Sequence, residues 1–241
     1  MVIDSEQRKL MDPRQLFADE RHAAFCVFCG DTPTTREHVA SKVLLDDPLP
    51  GDLPLIGSCY RCNNSFSQDE EYLACLVDCV SSGTTNPGEV KRPKVRASLL
   101  HSPALAMRIA ASRTEDVSGN IIWTPEDDRV RNVIIKLARG HIAHQYSEPQ
   151  LDDPIRIAVM PLAVMSNEQR EVFEIVPETL GWPEIGSRAF RSLFAVGENV
   201  YNTEDGWVVL QEGRYRYMVA QPGETVFRIV LSEYLAGEVV W

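Results

Sequence analysis

The 241-residue chain reads as α+β, with a cysteine-paired N-terminal segment, helices in the middle and antiparallel strands towards the end. Three features lead there. The six cysteines all fall within residues 26–79, apolar residues recur at helical spacing from about 67 to 143, and after about residue 150 the chain turns to runs rich in β-branched and aromatic side chains.

Cys26-Val27-Phe28-Cys29 and Cys59-Tyr60-Arg61-Cys62 are two Cys-x-x-Cys pairs. Each spacing lets two thiolates from one tight turn reach the same tetrahedral ion. The 29 residues between the pairs exceed the commonest ribbon spacing, so a segment is inserted between the knuckles. Four sulfur ligands close a coordination shell, so a structural zinc is expected, contributing folding free energy to a stretch interrupted by Gly30, Pro33, Pro48, Pro50, Gly51 and Pro54. The competing readings are free thiols or redox pairs. Cys75 and Cys79 lie four apart on an expected helix, as buried apolar thiols or as a further metal pair.

Residues 1–21 are polar and read as a short helix or a loose arm. A helix is expected at about 67–81, with Ser67 and Glu70 spaced as a capping box. Asp69, Glu70 and Glu71 would then sit at its positive end, or add a metal or water contact. Residues 81–96 have linker composition, and helices follow at about 98–112 and about 125–143. Arg139, His141 and His144 would close the last of these as cations at its negative end. Beyond Asp152-Asp153-Pro154, the segments IRIAVMPLAV, REVFEIVP, GWVVLQEG, YRYMVA and TVFRIVLSEYL read as strands, with hairpin turns in QEGRY and QPGETV. Trp123, Trp182, Trp207 and Trp241 are scattered and read as core or interface aromatics. The expected division is a zinc-bound unit at 1–85, a linker and helical region at 86–150, and a strand-rich region at 151–241 with a core of its own.

A formal net charge of -11 argues against a surface that is basic throughout, so any nucleic-acid contact must be local. Lys91, Arg92, Lys94 and Arg96 form the dense basic run, either a strip for phosphates or a solvated linker. The start MVIDSEQRKL has no apolar signal core, and no apolar run approaches the roughly 18 residues that span a bilayer, so a cytoplasmic protein is expected.

Between the knuckles stand Glu37-His38-Val39 and Asp52-Leu53-Pro54, and the second knuckle runs on into Asn63-Asn64. This order resembles the HNH endonuclease family over about residues 24–75. The resemblance implies a treble-clef-like unit of two strands and a helix that binds one divalent metal and cleaves phosphodiester bonds. His38 matches the general base, and Glu37 and Asn63 match ligands of a catalytic Mg²⁺ or Mn²⁺ distinct from the zinc. Asp52 falls where the family carries the asparagine that orients the base, Ser41 replaces a frequent proline, and Phe66 replaces a frequent basic residue. The function so implied is a metal-dependent DNA nuclease, with RNA also open. With so little basic charge, a partner such as an ATPase or sensor subunit of a bacterial defence system is the expected aid to DNA engagement. The alternative is a catalytically inactive zinc module for protein or nucleic-acid interaction, in which Glu37 and His38 are surface residues beside a knuckle and Asn63 caps a helix.

Overall fold

In the computed structural model, which describes residues 24–51, 53–192 and 203–241, the first knuckle closes as the Gly30 amide donates to the Cys26 carbonyl at 2.8 Å. The expected N-terminal helix or arm lies outside the described residues. Strand β1 (Thr35–His38) pairs antiparallel with β2 (Leu55–Ser58), from Thr35 opposite Ser58 to His38 opposite Leu55. A 3-10 turn at Lys42–Leu44 lies between them. The second knuckle opens helix α1 (Tyr60–Ser82), seven residues before the expected start. Cys59 is its N-cap, its sulfur accepting the Cys62 amide at 3.4 Å, so a thiol takes the part expected of Ser67. Ser67 lies inside the helix and donates to the Asn64 carbonyl. Gly83 ends α1 in the left-handed region, its amide reaching the Cys79 and Val80 carbonyls.

The expected linker is shorter and the following helix is two. Helix α2 (Pro93–His101) and α3 (Pro103–Ala111) each carry proline at the start, where a missing amide hydrogen costs nothing. Ser102, preceding Pro103, is held out of the helical region, which breaks the run expected at 98–112. A small hairpin, β3 (Arg113–Glu115) and β4 (Ile121–Trp123), leads to α4 (Asp127–Tyr146).

The C-terminal sheet is antiparallel, in the order β5-β10-β9-β8-β7-β6. Its strands are β5 (Arg156–Pro161), β6 (Thr203–Glu204), β7 (Trp207–Gln211), β8 (Tyr215–Ala220), β9 (Val226–Leu231) and β10 (Leu235–Val240). The expected hairpin turns fall at Gly213 and Gly223. REVFEIVP is not a strand but mostly helix α5 (Asn167–Glu174), started by a capping box in which Ser166 and Gln169 satisfy one another's backbone amides. Helix α6 (Arg188–Ser192) follows. Strand β10, unforeseen in the sequence, lies between β5 and β9. Its Gly237 is required by close approach, since a β-carbon there would stand 3.0 Å from Ile134 Cγ2 of α4 and 3.1 Å from Ile229 Cγ2.

The sheet is covered on both faces. Tyr215, Tyr217, Phe227, Ile229 and Leu231 join the main core, whereas Met218, Val226 and Val230 pack with Phe173 of α5 and with Trp207. The main core runs without a break from Ala40, Leu44 and Leu45 through Leu73 and Leu76 of α1 and Val133 and Leu137 of α4 to the sheet. Each such leucine contributes about 1.5–3 kcal/mol by burial; one face of the strand-rich region shares this core, and its other face packs within residues 151–241. Polar contacts tie the same parts together. Arg214, from the β7–β8 turn, grips Asp78 of α1 at 3.0 Å through both terminal nitrogens, and Arg92 reaches the same carboxylate at 2.7 Å. Among the described residues, no helix is long and apolar enough to cross a membrane.

Candidate functional site

The two knuckles bring Cys26, Cys29, Cys59 and Cys62 together, their sulfurs all within 4.8 Å of one another. Cys29 and Cys59 Sγ stand 3.8 Å apart, the separation that tetrahedral Zn–S bonds of about 2.3 Å generate. No disulfide joins these cysteines. The Cys62 amide holds the Cys59 thiol down to about 7, favouring the thiolate that zinc requires. Burial pushes the Cys62 thiol well up, the desolvation that a bound cation would offset. Val27, Phe28, Val39, Ile56 and Ala143 pack around the cluster in a small core of their own. Four thiols of this geometry fit a closed structural zinc site. Cys75 and Cys79 stay outside it, buried on α1, and desolvation pushes them up to about 12 and about 11.

A second polar site lies along the seam between β1 and α1. Pleat alternation puts Thr35 and Glu37 on one face of β1. Thr35 Oγ1 donates to the Ser58 carbonyl at 2.9 Å and accepts Asn63 Nδ2 at 3.2 Å, fastening the first turn of α1 to the strand. Glu37 Oε1 accepts Lys136 Nζ of α4 at 2.7 Å, and the same ammonium donates to Glu70 Oε1 at 2.6 Å. Asn63 and Glu70 are seven apart on α1 and share a helical face. Burial pushes the Glu37 carboxyl above its ordinary value, while the Lys136 ammonium, shared with Glu70, pulls the other way. His38 ends β1 one residue on, half-buried, opposite Leu55, and is not one of the zinc-site residues. Asp52, expected to orient it, lies outside the described residues.

Lys136 and Thr35 were not singled out in the sequence, and Glu70 was, but as a helix-start carboxylate or a metal or water contact and not as the partner of an ammonium. A signal for the lysine was there, because it interrupts the apolar run VIIKLA, and a charge at that spacing must be buried with a partner.

Other expected site residues have different surroundings. Asp69, Glu70 and Glu71 lie in the third and fourth turns of α1, too far along to act on its positive end. Asp69 is instead held by Arg129 and by Asn132 Nδ2, the latter at 2.6 Å. Arg92 does not belong to a surface strip. Because α2 starts at Pro93, the residue before it turns inward, and its guanidinium engages Asp78 and the Val43 and Leu45 carbonyls. Lys94 pairs with Asp47 at 2.9 Å, Arg96 donates to the Val90 carbonyl at 3.0 Å, and Lys91 is exposed. His141 is no terminal cation. Fully buried, it shares a 2.8 Å hydrogen bond between Nε2 and the Tyr215 hydroxyl, its ring lies 3.7 Å from that of Tyr217, and burial holds it well below its ordinary value.

No family model, curated protein or solved structure matches this chain.

Proposed function

We propose that the chain is a metal-dependent nuclease of HNH type, hydrolysing phosphodiester bonds of DNA at the seam between β1 and α1. One observation carries the reading: Glu37 and Asn63 line the same seam beside a four-sulfur site that leaves no coordination position for water. The donor set there, a carboxylate and an amide, suits a hard divalent cation that keeps much of its water. Glu37 and Asn63 would hold Mg²⁺ or Mn²⁺, which would supply positive charge against the negative charge that builds on the phosphate and on the leaving oxygen. His38 acts as general base, taking a proton from the water whose oxygen bonds to phosphorus as the bond to the leaving oxygen breaks. The cysteine-held zinc has a structural role, fixing the start of α1 against the hairpin. Lys91, Lys94 and Arg96 offer local phosphate contacts without Arg92, and a partner such as an ATPase or sensor subunit in a cytoplasmic bacterial defence system supplies further DNA engagement.

A second reading has its own support. Glu37 is already paired with an ammonium and Asn63 is held by Thr35, which suits a non-catalytic zinc module that binds protein or nucleic acid. Incubating the zinc-loaded protein with supercoiled, linear and single-stranded DNA and with RNA, under Mg²⁺, Mn²⁺ or EDTA, separates the two. Cleavage is expected with either cation, absent with EDTA, and abolished by His38→Ala with zinc content unchanged. Undiminished cleavage by His38→Ala would sink the mechanism, and no cleavage of any substrate would leave the zinc module standing.

A further inference from the structure

Lys136 is 2% exposed and comes from α4, outside the hairpin and helix that carry the candidate nuclease residues. Its ammonium bridges Glu37 of β1 and Glu70 of α1, two carboxylates that are themselves mostly buried. A packing role does not call for this arrangement, because a well-fitted apolar side chain in place of such a triad is as stable or more so. The triad itself does not balance: two carboxylates against one ammonium leave one negative charge, with Lys42 acting on Glu37 from beyond ion-pair distance. The ammonium sits on Oε1 of Glu37, and among the described residues Oε2 accepts no hydrogen bond. One oxygen is occupied and the other remains for a cation.

Building on the nuclease reading, we propose that Lys136 is a positioning residue that holds Glu37 by one oxygen, so that the carboxylate meets the divalent ion through the other alone. Single-oxygen ligation leaves more of the ion's positions to water, which phosphodiester hydrolysis needs. Glu70 keeps the ammonium from closing on both oxygens of Glu37 by drawing it to the far side.

Two substitutions have opposite expected effects on the ion and the same effect on the chemistry. Lys136→Met removes a positive charge next to the ion and releases Glu37 and Glu70 to ligate together, so Mn²⁺ binds more tightly. Lys136→Arg keeps the charge but presents a planar fork that engages both oxygens of Glu37, so Mn²⁺ binds more weakly. Loss of an outer partner of a metal ligand lowers activity by about 10–100-fold, and that fall in plasmid cleavage is expected of both variants. A merely structural lysine would lower binding and cleavage together.

The experiment titrates Mn²⁺ into the zinc-loaded full chain by calorimetry for wild type, Lys136→Met, Lys136→Arg and Glu37→Gln, with cleavage rates, zinc content and melting temperature alongside. Each variant has its own expected sign, and a folded Lys136→Met is sufficient by itself, because tighter Mn²⁺ binding with slower cleavage is not what a structural lysine gives. Opposite shifts in Mn²⁺ affinity with reduced cleavage uphold the proposal. Shifts of the same sign, or a folded variant that cleaves and binds Mn²⁺ like wild type, overturn it. If wild type cleaves nothing, the nuclease reading falls and the Mn²⁺ shifts alone decide: opposite signs uphold the positioning role, and Mn²⁺ binding that is absent or insensitive to Glu37→Gln overturns it.

Discussion

Helix α1 carries two buried charge clusters, at Glu70 and at Asp78, and they are built with different stoichiometry. At Glu70 one ammonium serves two carboxylates; at Asp78 two guanidinium groups serve two, because Asp46 Oδ1 also meets Arg92 Nε at 2.6 Å. The remaining donors at Asp78 are taken up by backbone, because Arg92 also donates to the Val43 and Leu45 carbonyls and Arg214 to that of Leu44. Every direction of those forks has a partner, as a structural clamp requires. Among the described residues the excess negative charge at Glu70 has no such backbone lining, Lys42 acts on Glu37 only from beyond ion-pair distance, and the cluster lies at the seam that Thr35 and Asn63 close. A closed cluster argues for stability, and one left unbalanced towards a polar seam argues for chemistry.

The largest expected effect bears on the frame that holds both clusters. Chelating the zinc, or replacing Cys59 with Ser, should unfold the N-terminal unit, since structural zinc sites contribute about 10–16 kcal/mol in small domains. Elemental analysis should find about one zinc per chain. An unchanged melting temperature after chelation would remove the zinc from the comparison altogether.

Next comes the clamp itself. Asp78→Ala leaves two buried guanidinium groups with only the half-exposed Asp46 carboxylate beside them, and urea denaturation should register a loss of about 3–5 kcal/mol. A loss below about 1 kcal/mol, the scale of an exposed ion pair, would mean that Asp78 is no clamp.

The smallest effect sharpens a contrast within α4. Lys136 is surrounded by carboxylates, whereas five residues on His141 has a phenol and aromatic rings. Burial depresses the His141 pKa in the folded chain, so below about 6.5 the unfolded chain takes up a proton that the folded one refuses. Stability contributed by the neutral ring is therefore complete above that pH and is lost as pH falls, by up to about 1.4 kcal/mol per pH unit. His141→Phe should remove that slope, and a slope equal to wild type would show that His141 does not set it.

What the sequence made legible was local. Two thiols three residues apart announce a knuckle, and Gly213 and Gly223 announce their turns, because each signal fits in one turn of chain. REVFEIVP misled because its apolar spacing suits a strand, although Ser166 and Gln169 already spelled a helix start. The start of α1 was misplaced because a cysteine sulfur, not a hydroxyl, caps it. The rest depends on distant partners: Lys136 meets Glu37 across 99 positions, and Arg214 meets Asp78 across 136. Nothing near Arg92 in the sequence distinguishes a phosphate-binding arginine from one drawn inward by Asp78. The identity of the carboxylate at position 37 was visible, and its counter-ion was not.

That Lys136, Gly140 and Ala143 all come from α4 bears on any attempt to transplant the zinc unit into another protein. A graft cut at residue 85 would carry the four cysteines and the candidate catalytic pair, yet arrive with Glu37 and Glu70 stripped of their shared cation. It would also leave uncovered Val39 and Ile56, against which Gly140 packs at 3.3 and 3.4 Å from its β-carbon position, and the α1 side chains Leu73 and Leu76. Any portable cassette therefore extends at least to Tyr146, and shuffling at the apparent linker would transfer the metal-binding motif without its electrostatics.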